Sequence, residues 1–124
     1  MSVLYTDDTK EGNWKGVPAI LHDLQDPDLF IDDDGKAYML TRGSSNVFPI
    51  RGIELDRNHR FLPKGEKKEL FGLDLANHGW ERFGENHVSD SDLGGFIEGP
   101  WMTKHNGKYY LQYGSPGTEF KCIR

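Results

Sequence analysis

The 124-residue sequence contains a single cysteine, Cys122, and lacks any long run of hydrophobic residues. One cysteine excludes a disulfide within the chain. The lack of a long apolar run argues against a membrane-spanning helix, and no signal peptide is recognisable at the N-terminus. The sequence therefore predicts no contact with a membrane and leaves the compartment unknown. A secreted or periplasmic location of a larger parent protein stays open, with its signal lying outside this chain.

Clustered positive charge is also missing. Lysine and arginine total 15 against 20 acidic residues, which gives a formal net charge of −5. Because nucleic-acid binding needs lysines and arginines grouped against phosphates, this balance argues against a nucleic-acid partner. The densest basic stretch, residues 64–68, is interrupted by Glu66 and is predicted to be a solvated loop. A neutral ligand or a protein partner fits the charge better.

A metal-binding pattern is missing as well. The five histidines show no spacing typical of a zinc site. The aspartates at 32–34 fail as a calcium-binding loop, because Phe30 occupies the first ligand position. We therefore expect neither a metal nor another cofactor.

The residues that are abundant favour short strands and turns. The sequence has 15 glycines, six prolines and 15 aromatic residues (three Trp, five Tyr and seven Phe). Two pairs of apolar runs flank the dipeptides Asp34-Gly35 and Asn106-Gly107, which predict hairpins with type I′ turns. The aspartates at 32–34 are then expected to be solvated turn residues. Further strands are predicted at Ser2–Thr6 and Phe48–Leu55, a helical turn within Phe71–Phe83 and a loop at Glu85–Gly95. We predict one all-β domain over residues 1–124.

The two hairpins form an internal repeat with an offset of 72 residues (107 − 35), found by aligning Gly35 with Gly107. The same offset places Asp26 on Glu98, each just before an apolar strand. Repeated strand units around a common axis hold equivalent positions at equivalent radii. We therefore expect these two carboxylates to converge, an arrangement that glycosidic cleavage uses. The offset also pairs Lys36 with Lys108, Tyr38 with Tyr110, and Met39 with Leu111.

Three stretches in order resemble glycoside hydrolase family 43, whose members are five-bladed β-propellers acting on xylan and arabinan side chains. They are residues 26–38 (DPDLFIDDDGKAY), residues 50–55 (IRGIEL), and residues 98–101 (EGPW) with 106–111 (NGKYYL). The resemblance implies a partial β-propeller of about two antiparallel blades, the second and third, with an extra strand or two at the ends. It also implies that the chain is a truncated product or a fragment of a larger hydrolase domain.

By motif position the resemblance implies that Glu98 is the general acid and that Asp26 is the carboxylate that orients it. The implied reaction is inverting hydrolysis of xylose- or arabinose-containing glycans, with a separate carboxylate activating water. That general base is expected a whole blade before Asp26. Asp7 and Asp8, which precede Asp26, are expected to be surface turn residues and not this base. The isolated chain is therefore expected to lack the base and to have weak or no activity.

Other interpretations of these residues stay open at this point. Asp26 could cap a local turn. Trp101, a candidate substrate-binding residue with Tyr113, could belong to the core together with Tyr110. The segment between His78 and His87 could line the substrate rim or form a loop packed by its own aromatics. A noncatalytic carbohydrate-binding module and a nonfunctional enzyme remnant are the rival functions. Exposed blade faces and strand edges would also favour self-association.

Overall fold

The protein is described by a computed structural model that covers residues 3–17, 25–43, 49–87 and 94–116. These residues form eight β-strands and three single-turn 3-10 helices, and contain no α-helix. Over the same residues, no helix is long and apolar enough to cross a membrane. The predicted all-β class is confirmed. The strands are β1 (Val3–Tyr5), β2 (Lys15–Val17), β3 (Gln25–Ile31), β4 (Ala37–Arg42), β5 (Ile50–Asp56), β6 (Leu62–Phe71), β7 (Glu98–His105) and β8 (Lys108–Gly114).

The strands group into one four-stranded sheet and two hairpins. The larger sheet has the order β3-β4-β5-β6, with each neighbouring pair antiparallel. The pair β1-β2 and the pair β7-β8 form the two hairpins. A four-stranded antiparallel meander is one blade of a propeller. The described part of the chain is therefore a partial β-propeller, with one complete blade and a two-stranded sheet on each side of it in the sequence.

Strand β4 carries the core because it is covered on both faces. Its side chains Ala37 and Met39 form a buried cluster with Ile53 and Leu55 of β5. Leu40 points to the opposite face and is also buried. Since side chains alternate along a strand, a central strand with buried residues on both faces needs apolar or small side chains at successive positions. Burying each large aliphatic side chain contributes about 1.5–3 kcal/mol.

The turns of the two predicted hairpins, β3-β4 and β7-β8, differ in geometry. Asn106 and Gly107 both have positive φ, at 49° and 74°, so the predicted type I′ turn is confirmed there. In the first hairpin only Gly35 has positive φ, at 82°. Hydrogen bonds from Gly35 N to Asp32 O and from Asp32 N to Lys36 O close a three-residue loop. The predicted type I′ turn is wrong at this position, because the extra loop residue places only the glycine in the left-handed region.

Residues 64–68, predicted to be a solvated loop, belong to strand β6 instead. This strand lies at the edge of the blade and its side chains from Lys64 to Leu70 are exposed. Lys64 Nζ lies 2.9 Å from Glu54 Oε1 on the neighbouring strand β5. Charged side chains are common on edge strands, where they oppose pairing with another chain. The charge pattern correctly predicted exposure and wrongly predicted a loop.

The remaining predicted elements are found with shifted limits. The first strand is Val3–Tyr5, and the strand predicted from Phe48 begins at Ile50, with Phe48 outside the described residues. The predicted helical turn is a 3-10 helix at Gly79–Glu81. The predicted loop begins with another 3-10 turn at Glu85–His87, and residues 88–93 lie outside the description.

The β7-β8 hairpin packs on the face of the blade that carries Phe30. Tyr109 meets the Phe30 ring edge-on, with ring centres 6.1 Å apart. Alternation along the two strands places Met102, Lys104 and Tyr109 toward the blade, and their neighbours away from it. Trp101 is one of the neighbours and is 47% exposed. Tyr110 is 46% exposed. The interpretation of Trp101 and Tyr110 as core residues is therefore wrong for this chain.

Candidate functional site

Strands β3 and β7 lie side by side and run in the same direction. Asp26 Oδ2 accepts a hydrogen bond of 3.3 Å from Gly99 N, and Asp28 Oδ2 accepts one of 3.1 Å from Met102 N. These two pairs are 73 and 74 residues apart in sequence. The near-constant separation means that the two copies of the repeat stand next to each other in almost the same register. The internal repeat therefore predicted the neighbours correctly.

Asp26 and Glu98 both lie at irregular positions at the beginnings of these strands: Asp26 is inside its bulge, and Glu98 is the last paired residue before its own. The β3-β4 register shifts between Gln25 and Asp28, and the β7-β8 register shifts between Glu98 and Trp101. Such bulges re-aim side chains and are common beside active sites. Asp26 itself has a φ of 50°, in the left-handed region that a non-glycine residue rarely adopts. The backbone is thus held in a costly conformation where the candidate carboxylate lies.

The structure brings the surroundings of the two acids together. The Asp26 carboxylate binds the backbone N–H of Gly99, which directly follows Glu98. Both acidic residues are exposed. This contact joins two different sheets, so it is not the local turn cap that was the alternative interpretation of Asp26. Glu98 pairs with Gly114 of β8, and a Cβ added at Gly114 would lie 3.7 Å from the Glu98 side chain.

The two candidate substrate-binding residues are on opposite faces of the hairpin. Trp101 pairs with Gln112, and the adjacent Tyr113 therefore points to the other side. Tyr113 packs on Phe71, with ring centres 5.3 Å apart. Burial, followed by the hydrogen bond to Glu81, raises the pKa of its phenol. A direct contact of either residue with a substrate stays a prediction.

A buried carboxylate that sequence reasoning missed lies next to Tyr113. Glu81 is fully buried. Its Oε1 accepts a 2.7 Å hydrogen bond from the Tyr113 hydroxyl and lies 3.1 Å from His78 Nδ1, while its Oε2 accepts a 2.8 Å bond from Asp74 N. A buried charge is costly unless it is hydrogen-bonded, and these partners satisfy it. The only sequence signal was an acid placed among aromatic residues, in the segment already identified between His78 and His87.

The backbone of Glu81 is tied to the strand that carries Glu98. Phe96 N donates a 3.2 Å hydrogen bond to the Glu81 carbonyl oxygen, two residues before Glu98. Arg82 and Gly95 form an isolated antiparallel bridge beside it. Through its side chain, Glu81 also contacts Tyr113, the residue before the cross-strand partner of Glu98. Glu81 therefore supports both strands that position the candidate acid.

A second connection between the blade and the hairpin lies at the other end of β3. Asp32 accepts hydrogen bonds from Lys104 Nζ and from the Tyr109 hydroxyl, each 2.5 Å long. Its side chain is only 11% exposed, so the expectation of a solvated turn residue is wrong for Asp32. The bonds to Lys104 and Tyr109 lower the pKa of Asp32 from 3.8 to about 2, and the same contact raises the pKa of Lys104.

A groove of about 490 Å³ lies between the blade and the β7-β8 hairpin. Neither Asp26 nor Glu98 lines it, so it is separate from the candidate site. In the described part of the chain, no group of three or more His, Cys, Asp or Glu side chains is arranged to hold a metal ion. The residues that line the groove include Phe30, Tyr38, Leu40, Leu70, Met102 and Tyr109.

A complete four-stranded antiparallel blade beside further two-stranded sheets defines the class of the chain as a β-propeller. The family model for glycosyl hydrolases family 43 matches residues 1–123. The chain belongs to this family.

Two curated proteins are similar to the chain. A xylan 1,3-beta-xylosidase from Vibrio sp. is 32% identical over 124 residues, covering 95% of this chain and 20% of the relative. Xylosidase/arabinosidase 43A from Humicola insolens is 27% identical over 117 residues, covering 77% of this chain and 36% of the relative. The chain thus spans about a fifth to a third of the length of these relatives. No solved structure matches it significantly.

Proposed function

We propose that this chain supplies the acid-bearing blades of an inverting glycoside hydrolase that cleaves xylose- or arabinose-containing glycans. Glu98 is the general acid in this proposal, and Asp26 orients it. The names of the two relatives, a xylosidase and a xylosidase/arabinosidase, support the substrate class. The single observation that carries the proposal is the hydrogen bond from Gly99 N to Asp26 Oδ2, since it joins Asp26 to the residue that directly follows Glu98.

The roles follow from the charges and contacts. A general acid gives its proton to the leaving glycosidic oxygen, while another carboxylate activates water on the opposite face of the sugar. Because the Asp26 carboxylate accepts a hydrogen bond from the Gly99 N–H, it holds the backbone next to Glu98 in place. Asp26 is thus suited to orient the acid, and the general base has to come from another residue.

The test replaces Glu98 in a longer polypeptide that holds this chain within a full set of blades. Glu98→Gln is expected to lower hydrolysis of xylobiose, which has a poor leaving group, by about 10²–10⁴-fold. Hydrolysis of dinitrophenyl xyloside is expected to fall far less, because its leaving group needs no proton. Glu69→Gln, an exposed change on β6, serves as the matched control with unchanged rates. Equal loss on both substrates would refute the role of Glu98.

The same measurements address the rival of a noncatalytic binding module. Xylo-oligosaccharide binding without hydrolysis by the longer polypeptide would favour the module. Neither binding nor hydrolysis would favour an enzyme remnant. The hydrolase is supported if Glu98→Gln lowers hydrolysis of xylobiose much more than hydrolysis of dinitrophenyl xyloside.

A further inference from the structure

An exposed aromatic pair lies on the segment between the blade and the β7-β8 hairpin. The rings of His78 and Trp80 are stacked, with centres 4.7 Å apart and planes 25° from parallel. Trp80 is 50% exposed. The imidazole covers one face of the indole, and the half of Trp80 that is exposed is accessible to a ligand.

The indole is held in place by a chain of hydrogen bonds that ends on the buried side chain of Glu81. Trp80 Nε1 donates to the Tyr113 hydroxyl at 3.2 Å, and that hydroxyl donates to Glu81 Oε1 at 2.7 Å. His78 Nδ1 lies 3.1 Å from the same Glu81 oxygen. Both rings of the stacked pair are therefore fixed by one buried carboxylate. A ring that is already ordered loses little conformational entropy when a ligand binds to it.

This pair is on the same side of the molecule as the candidate acids. Tyr113 precedes Gly114, the cross-strand partner of Glu98. Tyr113 packs against Phe71. Phe71 pairs with Ile50, Ile50 pairs with Arg42, and Arg42 pairs with Gln25, the residue before Asp26. The ends of β3, β6 and β8 that carry these residues thus share one rim.

We propose that Trp80, stacked on His78 and fixed by Glu81 through Tyr113, is a platform that binds a neutral sugar ring of the glycan. The proposal rests on the proposed function for the choice of a glycan. The C–H face of a pyranose or furanose is apolar and matches the flat surface, while the hydroxyl groups at its edge stay in water. An aromatic surface with few convergent polar groups is typical of sites for such neutral ligands.

The test measures saccharide binding and needs no turnover. Xylotriose and arabinotriose are titrated into the 124-residue chain, and the indole N–H resonances of its three tryptophans are followed by NMR. The Trp80 resonance is expected to shift, and Trp80→Leu is expected to raise the Kd about tenfold or more, equivalent to about 1.4 kcal/mol. Trp14→Leu, which removes an equally exposed indole from the β1-β2 hairpin, is expected to change the Kd less than twofold.

A second variant guards against a loss of folding in Trp80→Leu. Trp80→Phe keeps a flat ring and removes only the N–H that anchors it, so an intermediate rise in Kd of about threefold is expected. Binding of neither saccharide by the wild-type chain, or unchanged binding in Trp80→Leu, would overturn the platform. Since hydrolysis is not measured here, a failure of Glu98 as general acid leaves this result standing, and the reverse also holds.

Discussion

Asp32 joins the complete blade to the following hairpin, although it begins a turn made of three consecutive aspartates. Lys104, its partner, occupies the equivalent position in the second copy of the repeat, 72 residues later. An acid in one copy and a base in the other therefore form an ion pair between the two sheets. Asp33, which follows it, is 86% exposed and lies 2.9 Å from the same lysine. The two aspartates differ in burial, and only Asp32 also binds Tyr109.

Stability in acid is expected to depend on Asp32. Its pKa is lowered from 3.8 to about 2 in the folded chain. A carboxyl with a depressed folded pKa contributes stability that is complete above its unfolded pKa and is lost as pH falls through the folded pKa. Asp32→Asn is therefore expected to lower the Tm by several degrees at pH 7 and to weaken the loss of stability between about pH 4 and pH 2. Thermal unfolding by circular dichroism at several pH values measures both effects.

Asp33→Asn is the matched control for this prediction. Exposed ion pairs contribute little because water and salt screen them, so its Tm is expected to stay close to that of the wild type. Two results would contradict the role assigned to Asp32. The Asp32→Asn variant would lose as much thermal stability on acidification as the wild type, or both variants would show the same loss of Tm.

At the scale of elements, the sequence predicted strands wherever apolar residues alternate around a strong turn. The β3-β4 and β7-β8 hairpins and the strand from Ile50 to Asp56 were found in this way. Strand β6 was missed because it is an edge strand whose charged residues satisfy no apolar alternation. Residues 62–71 form a strand because they pair with β5, and this pairing is not visible in the local sequence pattern. The turn type at Gly35 was missed for a related reason, since loop length decides which residues need positive φ.

The candidate site was predictable where it depends on the repeat. The offset of 72 predicted that Asp26 and Glu98 become neighbours, and the bond from Gly99 N to Asp26 shows that their strands do. The repeat did not predict the burial of Glu81, because Glu81 lies in a segment that the first copy of the repeat does not contain. A single sequence shows the acid, and only the packing of Tyr113 and Asp74 around it shows that it is buried.

The pairing of the Glu81 segment with the residues just before Glu98 requires a glycine at position 95. A Cβ added at Gly95 would lie 1.8 Å from the Glu81 carbonyl oxygen, a backbone atom that cannot turn aside. Gly95→Ala is therefore expected to destabilise the fold by about 1–3 kcal/mol, the usual cost of overpacking. Equilibrium unfolding in urea measures the change.

Gly79→Ala is the control for this substitution within the same segment. A Cβ at Gly79 meets no atom within 4 Å and no positive φ is needed there. This variant is expected to keep the wild-type stability or to gain up to about 1 kcal/mol through a more restricted unfolded chain. Equal stabilities of the two alanine variants would show that the close approach at Gly95 is not required.

At the scale of the whole molecule, the β7-β8 hairpin exposes the face that points away from the complete blade. Trp101 and Tyr110 share this face, because their cross-strand partners are Gln112 and Thr103. Each of the two aromatic side chains is nearly half exposed. In a propeller, both faces of a blade are covered by its neighbours. An aromatic sheet face of this kind is suited to pack on another apolar surface.

A second copy of the chain is the partner expected on this face. We predict that the 124-residue chain self-associates in a concentration-dependent manner, because pairing removes Trp101 and Tyr110 from water. Tyr110→Lys places a charge in the contact and is expected to raise the dimer Kd about tenfold or more. Trp14→Lys, at an indole that is 52% exposed on the β1-β2 hairpin, is expected to leave the Kd unchanged. Sedimentation equilibrium over a range of concentrations measures these constants. A monomer at every concentration, or equal weakening by both lysine variants, would show that the exposed aromatic face does not drive association.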